Sequence, residues 1–232
     1  MTEIPVRAAH ARATGEAGVP EQVRITEMFV SLQGEAADVG WPTAFVRLTG
    51  CPLRCRWCDS AYAFEGGEAR TLDSILQWVA QASVRHVCVT GGEPLAQPGG
   101  RVLLGRLCDA GYRVSLETSG ALDIAGLDAR VTVVMDWKAP ASGEEGRNRE
   151  ANIPVLAVGD QLKFVLADRA DFDWARGELE RLAIPAGVDV LFSPVFGELA
   201  PRELADWIVG ERLPVRFQLQ LHKLLWGDQP GR

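Results

Sequence analysis

The most constraining feature of this 232-residue sequence is a regular alternation of β-branched runs and amphipathic helical runs. Helical spacing of apolar residues follows Thr71 and Pro201 and recurs around Leu103 and across residues 173–182. Repeated strand–helix–strand order favours a mostly parallel α/β sheet with right-handed crossovers. A complete eightfold barrel typically needs about 250 residues. We therefore expect a single domain over residues 23–232, an incomplete TIM-like barrel of parallel strands. The predicted strands are residues 43–49, 86–90, 112–118, 131–135, 162–166, 188–192 and 215–221.

The segments between these strands differ in character. Residues 50–70 are expected to be a loop rich in Cys, Gly and Arg, and residues 148–154 a loop with few structural signals. Active sites of such folds gather at the C-terminal ends of the strands, so polar motifs that follow strands should meet there. Residues 1–22 have scattered charges and no apolar signal-peptide core, and they are expected to be a loose leader.

Charge and hydropathy exclude several classes of partner. Lys and Arg number 24 against 31 Asp and Glu, a formal net charge of −7. Nucleic-acid binding needs a clustered cationic surface, so no such partner is expected. No stretch approaches the roughly 18–20 apolar residues that span a bilayer, so no membrane partner is expected. Five cysteines and no export signal argue against a disulfide framework and favour a reducing, cytoplasmic location.

Three of the cysteines, Cys51, Cys55 and Cys58, lie within eight residues. Their spacing lets one tight loop direct three thiolates to one point, which is enough for three irons of a cubane cluster. The fourth iron would stay open to a small molecule. The alternative is a structural zinc site, which usually has four ligands and would need the distant His86 or Cys88 as its fourth. Ligand count favours the cluster.

The cysteine loop, with Trp57 before its last cysteine, resembles the signature of the radical S-adenosylmethionine (SAM) superfamily. The segment VTGGEP at residues 89–94, which contains Gly92 and Glu93, follows the next predicted strand and resembles the superfamily's GGEP motif. This resemblance implies a [4Fe–4S] cluster whose open iron chelates SAM, and reductive cleavage of SAM to a 5′-deoxyadenosyl radical. Trp57 is then expected against the adenine ring of SAM, with plain core packing as the alternative.

Polar residues upstream of the cysteines indicate a substrate site. Gln33 and Glu35 flank a glycine in a predicted loop, and together they offer donors and acceptors for a pyrimidinone-type edge. Arg47 lies in a strand four residues before Cys51, where an unpaired charge is costly. A substrate carboxylate would pair with Arg47 in a bidentate manner, and a protein carboxylate is the alternative.

Longer segments are similar to 7-carboxy-7-deazaguanine synthase, the QueE family of radical SAM enzymes. They are SLQGE, FVRLTGCPLRCRWCDS, TGGEP, SLETSG and HKLLW, spread over residues 24–222 and slightly beyond. The family converts 6-carboxy-5,6,7,8-tetrahydropterin to 7-carboxy-7-deazaguanine with loss of ammonia and regenerates SAM. A related radical SAM enzyme that activates a partner protein by forming a glycyl radical is the rival hypothesis.

The resemblance assigns roles by motif position. Residues implied in holding the pterin substrate are Leu32, Gln33, Gly34, Glu35, Arg47, Thr90 and His222. Residues implied in SAM binding are Trp57, Cys58, Asp59, Gly92, Glu93, Ser119, Asp136 and Lys138. Ser60 is implied as a ligand of Mg²⁺, for which a hydroxyl is an acceptable hard-oxygen donor. His222 is placed at the end of the last predicted strand, where a structural role is the alternative.

The chain departs from the family pattern at two positions. Ser60 stands where Thr is common, which keeps the oxygen ligand. Ala36 stands where Gly is common, so the backbone there is expected to be in a region open to non-glycine residues. Lys163 lies within a predicted strand and should have a charged partner. Cys88 and Cys108 are expected to be small core residues. The resemblance further implies a homodimer and an electron donor such as flavodoxin.

Overall fold

The computed structural model describes residue 18, residues 20–227, and residues 229 and 231. The proposed leader at residues 1–22 therefore lies largely outside the described residues. The described strands are β1 Gln22–Leu32, β2 Pro42–Leu48, β3 Glu68–Thr71, β4 His86–Gly91, β5 Arg113–Thr118, β6 Thr132–Asp136, β7 Gln161–Leu166, β8 Asp189–Pro194 and β9 Arg216–Phe217. The described α-helices are α1 Leu72–Ala82, α2 Pro98–Asp109, α3 Arg169–Arg181, α4 Pro201–Glu211 and α5 Leu221–Trp226.

These strands form one nine-stranded sheet in the order β3-β1-β2-β4-β5-β6-β7-β8-β9. Every neighbouring pair from β2 to β9 is parallel, whereas β1 pairs antiparallel with both β2 and β3. The two outer strands, β3 and β9, do not pair with each other, so the sheet stays open. The predicted incomplete α/β barrel is confirmed.

Helices α1 to α4 cover the outer face of the sheet, and the main core lies between the two layers. The predicted start of α1 is confirmed, because the Thr71 side chain accepts a hydrogen bond from the Ser74 amide as an N-cap. Leu72, Ile75 and Val79 are then buried at helical spacing. A much smaller apolar group, formed by Ala36, Val134 and Leu191, lies apart from this core. No helix among the described residues is long and apolar enough to cross a membrane.

Three local expectations are wrong. Residues 68–70, the end of the predicted 50–70 loop, belong to strand β3, because this strand pairs with the start of β1. A 3-10 helix at Glu150–Val155 takes up most of the predicted 148–154 loop and ends one residue beyond it. The predicted last strand at residues 215–221 is only the two-residue β9, and its end has become α5. His222 therefore lies on a helix and not at a strand end.

The loop between β1 and β2 lies at the end of the barrel opposite the cysteine loop. Leu32 pairs with Pro42, the first residue of β2, so the loop emerges at the N-terminal edge of the parallel strands. It folds back into the barrel, where the Ala36 amide donates to Gln218 at 2.6 Å and the Ala37 amide to Gln161 at 3.0 Å. Ala36 has a left-handed backbone with φ of 67°, in the small positive-φ region that non-glycine residues adopt only occasionally.

Candidate active site

A cleft runs through the barrel between its two ends. The cysteine loop, the glycine turn after β4 and the ends of β5 and β6 line it from the C-terminal edge. Leu32, Gln33, Gly34 and Glu35 line it from the opposite end, joined by His222 of α5. The expectation that all motifs meet at the C-terminal edge is therefore wrong for the β1–β2 loop, because β1 runs antiparallel to its neighbour. Of the predicted site residues, Glu93 alone is absent from the lining.

The thiols of Cys51, Cys55 and Cys58 all line this cleft. Burial raises the pKa of the Cys51 and Cys55 thiols, so metal binding would have to release their protons. No three His, Cys, Asp or Glu side chains in the described part of the chain are close enough to share one metal ion. A cubane cluster offers a separate iron to each thiolate, so its ligands are spaced more widely than those of a single ion.

Neither proposed fourth zinc ligand is near the cysteine loop. His86 begins β4 at the N-terminal edge, where its ring stacks on Trp41 at 5.2 Å. Cys88 is fully buried in the middle of the same strand, and its register partner is Phe45. The cysteine loop follows the C-terminal end of β2. The residues present therefore fit a three-thiolate cluster site better than a closed zinc site.

Close backbone contacts join the glycine turn after β4 to the cysteine loop. The Gly92 amide donates to Leu48 O at 3.0 Å, and the Glu93 amide donates to Gly50 O at 2.7 Å. A Cβ atom on Gly92 would lie 2.2 Å from Gly50 O, so no side chain fits there. Gly91 has φ of 155°, and a Cβ atom there would lie 2.3 Å from Leu48 O. These glycines allow the two loops to touch.

The Glu93 carboxylate is fully buried and faces β5 rather than the cleft. It accepts hydrogen bonds from Thr118 Oγ1 at 2.9 Å, from the Ser119 amide at 2.7 Å and from Ser119 Oγ at 2.6 Å. It also accepts one from the Leu95 amide at 2.9 Å. Its side chain thus ties the glycine turn to the end of β5, and it presents no oxygen to a ligand in the cleft.

Four alternating charges line the wall of the cleft. Lys163 Nζ lies 2.7 Å from Glu35 Oε2 and 3.1 Å from Asp136 Oδ1, and Lys138 Nζ lies 2.6 Å from Asp136 Oδ2. Burial would raise the pKa of Asp136, but the two lysines outweigh it and lower the pKa to about 2. Burial would lower the pKa of Lys163, and Asp136 and Glu35 raise it well above its usual value. The charged partner expected for Lys163 is confirmed.

A second polar group connects the β1–β2 loop to the C-terminal edge. Glu117 accepts a hydrogen bond from Thr90 Oγ1 at 3.0 Å and one from Gln33 Nε2 at 3.3 Å. The Gln33 side-chain oxygen accepts from the Glu35 amide at 3.2 Å. All four residues line the cleft. They form a row of donors and acceptors suited to a flat heterocyclic ligand.

Arg47 lines the cleft and has a protein carboxylate as partner. Its Nε lies 2.7 Å from Glu27 Oε1, which also accepts a hydrogen bond from Tyr62 at 2.7 Å. Glu27 is therefore the protein carboxylate that was predicted as the alternative partner of Arg47. Among the described residues, this is the only hydrogen bond to the Arg47 side chain, and it engages Nε alone. The two terminal nitrogens are left as donors for a ligand carboxylate.

The His222 ring packs directly on Gly34. A Cβ atom on Gly34 would lie 2.1 Å from His222 Nδ1, so only glycine allows this approach. The amide of Leu221 donates to Gly34 O at 2.9 Å and fixes the start of α5 against the loop. Trp57 is half-buried and lines the cleft, so plain core packing does not describe it.

Several side chains that shape the cleft were not predicted from the sequence. Glu27 and Tyr62 orient Arg47, while Gln218 and Gln220 donate to the Glu35 carboxylate at 3.3 and 2.8 Å. The two glutamines lie two residues apart in an otherwise apolar run, a spacing that places them on one face of an extended chain. Lys223 contacts Asp59, and its position beside His222 was the available signal.

Comparisons with known proteins agree with this geometry. A family model described as the radical SAM superfamily matches residues 45–132, which include the cysteine loop, the glycine turn and β5. The structure of QueE from Escherichia coli superposes with a TM-score of 0.67 at 23% identity, over 87% of this chain and 95% of that one. Streptococcus suis SuiB bound to SAM superposes at 0.52 with 14% identity, over 74% and 48%. Both structures support the fold. The family model and the shared fold together indicate a protein of the radical SAM type.

Sequence relatives narrow the assignment. The 7-carboxy-7-deazaguanine synthase of Chlorobaculum tepidum is 46% identical over 208 residues, covering 88% of this chain and 94% of that protein. The synthase of Koribacter versatilis is 42% identical over 219 residues, covering 88% and 97%. This chain belongs to the 7-carboxy-7-deazaguanine synthase family. As a radical SAM enzyme it uses a [4Fe–4S] cluster and SAM.

Proposed function

We propose that this enzyme converts 6-carboxy-5,6,7,8-tetrahydropterin to 7-carboxy-7-deazaguanine and ammonia, a step of deazapurine synthesis. The observation that carries the proposal is the two-ended cleft. Three thiols lie at one end, and a loop with the amide and carboxylate of Gln33 and Glu35 lies at the other, with Arg47 between them on β2. A ligand filling this cleft would face the cysteine loop while its heterocycle and carboxylate met polar partners.

In this proposal Cys51, Cys55 and Cys58 hold the cluster and leave one iron for SAM. When bound, the cluster and SAM supply a 5′-deoxyadenosyl radical that abstracts the hydrogen at C6 of the substrate. The residues that hold SAM are Trp57, Cys58, Asp59, Gly92, Ser119, Asp136 and Lys138. Glu93 acts indirectly, because its carboxylate orients Ser119 through two hydrogen bonds.

The substrate contacts follow from the polar rows of the cleft. Gln33, Glu35 and Thr90 hold the pyrimidinone edge, and Arg47 binds the C6 carboxylate through its terminal nitrogens. The stacked rings of Phe29 and Phe45, 4.9 Å apart, offer an apolar wall to the flat ligand. Leu32, Gly34 and His222 complete the end of the pocket, which is supported by the direct packing of the His222 ring on Gly34.

We assign Ser60 as the protein ligand of a Mg²⁺ ion that also binds the substrate carboxylate. Its Oγ lies 3.8 Å from Cys58 Sγ, and Ser60 lines the cleft, so it would offer a hard oxygen ligand to a cation bound there. Mg²⁺ usually keeps several waters and takes few protein ligands, which suits one hydroxyl beside an open cleft. Ser60 also precedes a short 3-10 helix at Ala61–Ala63, which fixes its backbone.

The wider setting of the enzyme belongs to the same proposal. Free cysteines that must reach the cluster as thiolates favour a reducing, cytoplasmic location. Cleavage of SAM requires one electron, for which a small electron-transfer protein such as flavodoxin is the proposed donor. A homodimer is proposed from the family resemblance. No nucleic-acid partner is proposed for a chain with a net charge of −7.

Deuterium transfer tests the proposed hydrogen abstraction. Reconstituted enzyme would be incubated anaerobically with reductant, Mg²⁺, SAM and substrate deuterated at C6. Because SAM is regenerated in the proposed reaction, deuterium should appear in the recovered SAM as well as leave the C6 position. Product formation with unlabelled SAM would contradict abstraction at C6 by the adenosyl radical. Deuterium-free SAM and glycyl-radical formation on a partner protein would support the rival activating enzyme.

A further inference from the structure

The seam of the open barrel is bridged by the C-terminal segment of residues 218–226. The outer strands β3 and β9 do not pair, so backbone hydrogen bonds do not close the sheet there. After β9 the chain crosses to the loops that follow β1 and β2. Gln220 donates to Glu35 at 2.8 Å, the Leu221 amide donates to Gly34 O at 2.9 Å, and Lys223 Nζ lies 3.2 Å from Asp59 Oδ2.

Polar contacts rather than apolar burial hold this bridge in place. Helix α5 has no buried residue, and Leu224 and Leu225 are exposed. An element with little apolar burial opens at low free energy, so α5 is among the easier parts of the fold to displace. The segment nevertheless forms part of the wall of the cleft, since Gln220, His222 and Lys223 all line it.

Lys223 is the residue that fastens the bridge to the cysteine loop. Its side chain is 11% exposed, and Nζ also lies 5.4 Å from the ring centre of Phe196, which follows β8. Its partner Asp59 directly follows Cys58, and the Asp59 side chain is 45% exposed into the cleft. One cation therefore joins loops from the first and the last parts of the barrel.

Filling the cleft should strengthen this ion pair. The Asp59 side chain is half-exposed, and an ion pair open to solvent contributes little to stability. A ligand beside Asp59 would exclude solvent and lower the local dielectric constant, which increases the attraction between the two charges.

We infer that Lys223 is a positioning residue that closes the barrel seam over a loaded cleft through its ion pair with Asp59. The ligand that triggers closure is SAM, and the inference rests on the proposed placement of SAM beside Asp59. Lys223 acts through Asp59 and α5.

Hydrogen exchange of the peptide covering residues 218–226 tests this closure. It would be measured in cluster-loaded enzyme with and without SAM. SAM should slow exchange by about fivefold in the wild type and in Lys223→Arg, and by less than about twofold in Lys223→Met. Lys223→Met should also weaken SAM binding by about threefold to tenfold, because ligand escape through an unfastened seam is faster.

Arg216→Met is the matched control. Arg216 lies in β9, just before the bridging segment, and forms an exposed ion pair of 2.7 Å with Asp189 of β8. It does not line the cleft. This variant should show the wild-type response to SAM. If SAM slows hydrogen exchange in Lys223→Met as much as in the wild type, and SAM binding is normal, the proposed role of Lys223 is wrong and the proposed SAM site stands. Failure of the wild type to bind SAM would overturn both the proposed cofactor site and the proposed closure by Lys223.

Discussion

At the residue scale, Arg47 illustrates how a single charge can be held ready for a ligand. The sequence placed it in a strand before the cysteine loop, and the structure adds Glu27 and Tyr62, which were not predicted. Because Glu27 engages Nε only, the guanidinium is oriented while its terminal nitrogens stay available. An ion pair inside the protein and a role in substrate binding are thus compatible at this position.

Arg47→Ala should weaken substrate binding and leave SAM binding intact. Loss of charge-assisted hydrogen bonds costs about 2–3 kcal/mol, which corresponds to a rise in KM of roughly 30- to 150-fold. Steady-state turnover at varied substrate concentration measures it. Arg70→Ala is the control, since Arg70 pairs with Glu68 on the edge strand β3 and does not line the cleft. A normal KM in Arg47→Ala would remove the carboxylate assignment.

Ala36 shows what a residue-level reading of the sequence could not give. Its identity predicted only a backbone region open to non-glycine residues. The structure places it in the left-handed region, with φ of 67°, because the β1–β2 loop turns back into the barrel. The methyl group is buried against Val134 and Leu191. A left-handed alanine costs roughly 1–2 kcal/mol, and burial of its methyl offsets roughly 0.8 kcal/mol of that cost.

The effect of a substitution at Ala36 on the free energy of unfolding should therefore depend on the shape of the new side chain. Ala36→Gly is expected to change the free energy of unfolding by less than about 1 kcal/mol, as strain relief and lost burial nearly cancel. Ala36→Val should destabilise by about 2 kcal/mol or more, since a β-branched residue disfavours this backbone and overfills the site. Denaturant unfolding of the purified chain measures both. Equal stability of the two variants would contradict the left-handed turn.

At the element scale, the site depends on how neighbouring loops touch. The turn after β4 rests on the cysteine loop through Gly92, and the Glu93 side chain joins that turn to β5. The 3-10 helix at Glu150–Val155 has a comparable role, because buried Asn152 donates to Gly120 O at 3.0 Å. It holds the segment that follows Ser119. These links join loops that are distant in sequence.

Gly92→Ala should disrupt the contact between the glycine turn and the cysteine loop. The new Cβ would meet the carbonyl of Gly50, a backbone atom that cannot move aside without shifting Cys51. SAM affinity of the reconstituted protein should fall by at least about tenfold, the effect of roughly 1.4 kcal/mol. Equilibrium SAM binding measures it.

Gly177→Ala is the matched control for the glycine turn. Gly177 lies in α3, and a Cβ atom there would meet nothing within 4 Å. Replacing a helical glycine by alanine should raise stability by about 0.5–1 kcal/mol and leave SAM affinity unchanged. Unchanged SAM affinity in Gly92→Ala would show that close packing of the two loops is not required.

At the scale of the whole molecule, the sequence predicted most of the parallel core and less of what surrounds it. Strands β4 to β8 are largely buried, and β4, β6 and β8 carry short apolar runs that are easily recognised. Strands β1 and β3 and helix α5 are defined by pairing and by contacts to distant loops, which leave weak local signals. The two-ended cleft was missed for the same reason, since the direction of β1 decides where Gln33 and Glu35 lie.

Cys55→Ala should abolish cluster binding while the chain stays folded and soluble. The cysteine loop lies outside the main core between sheet and helices, so its loss leaves the packing intact. Iron analysis after anaerobic reconstitution should fall from about four irons per chain to near zero. The control variant Cys108→Ala, changed in helix α2, should retain the iron content of the wild type. Retained iron in Cys55→Ala would contradict the three-thiolate assignment.

Anaerobic turnover tests the central claim most directly. Reconstituted enzyme would be mixed with dithionite, SAM, Mg²⁺ and 6-carboxy-5,6,7,8-tetrahydropterin, and the product mass would be measured. The account predicts a substrate-dependent product lighter than the substrate by one ammonia, and none with Cys55→Ala. Cleavage of SAM without any such product would keep the radical SAM chemistry and contradict the proposed ring contraction.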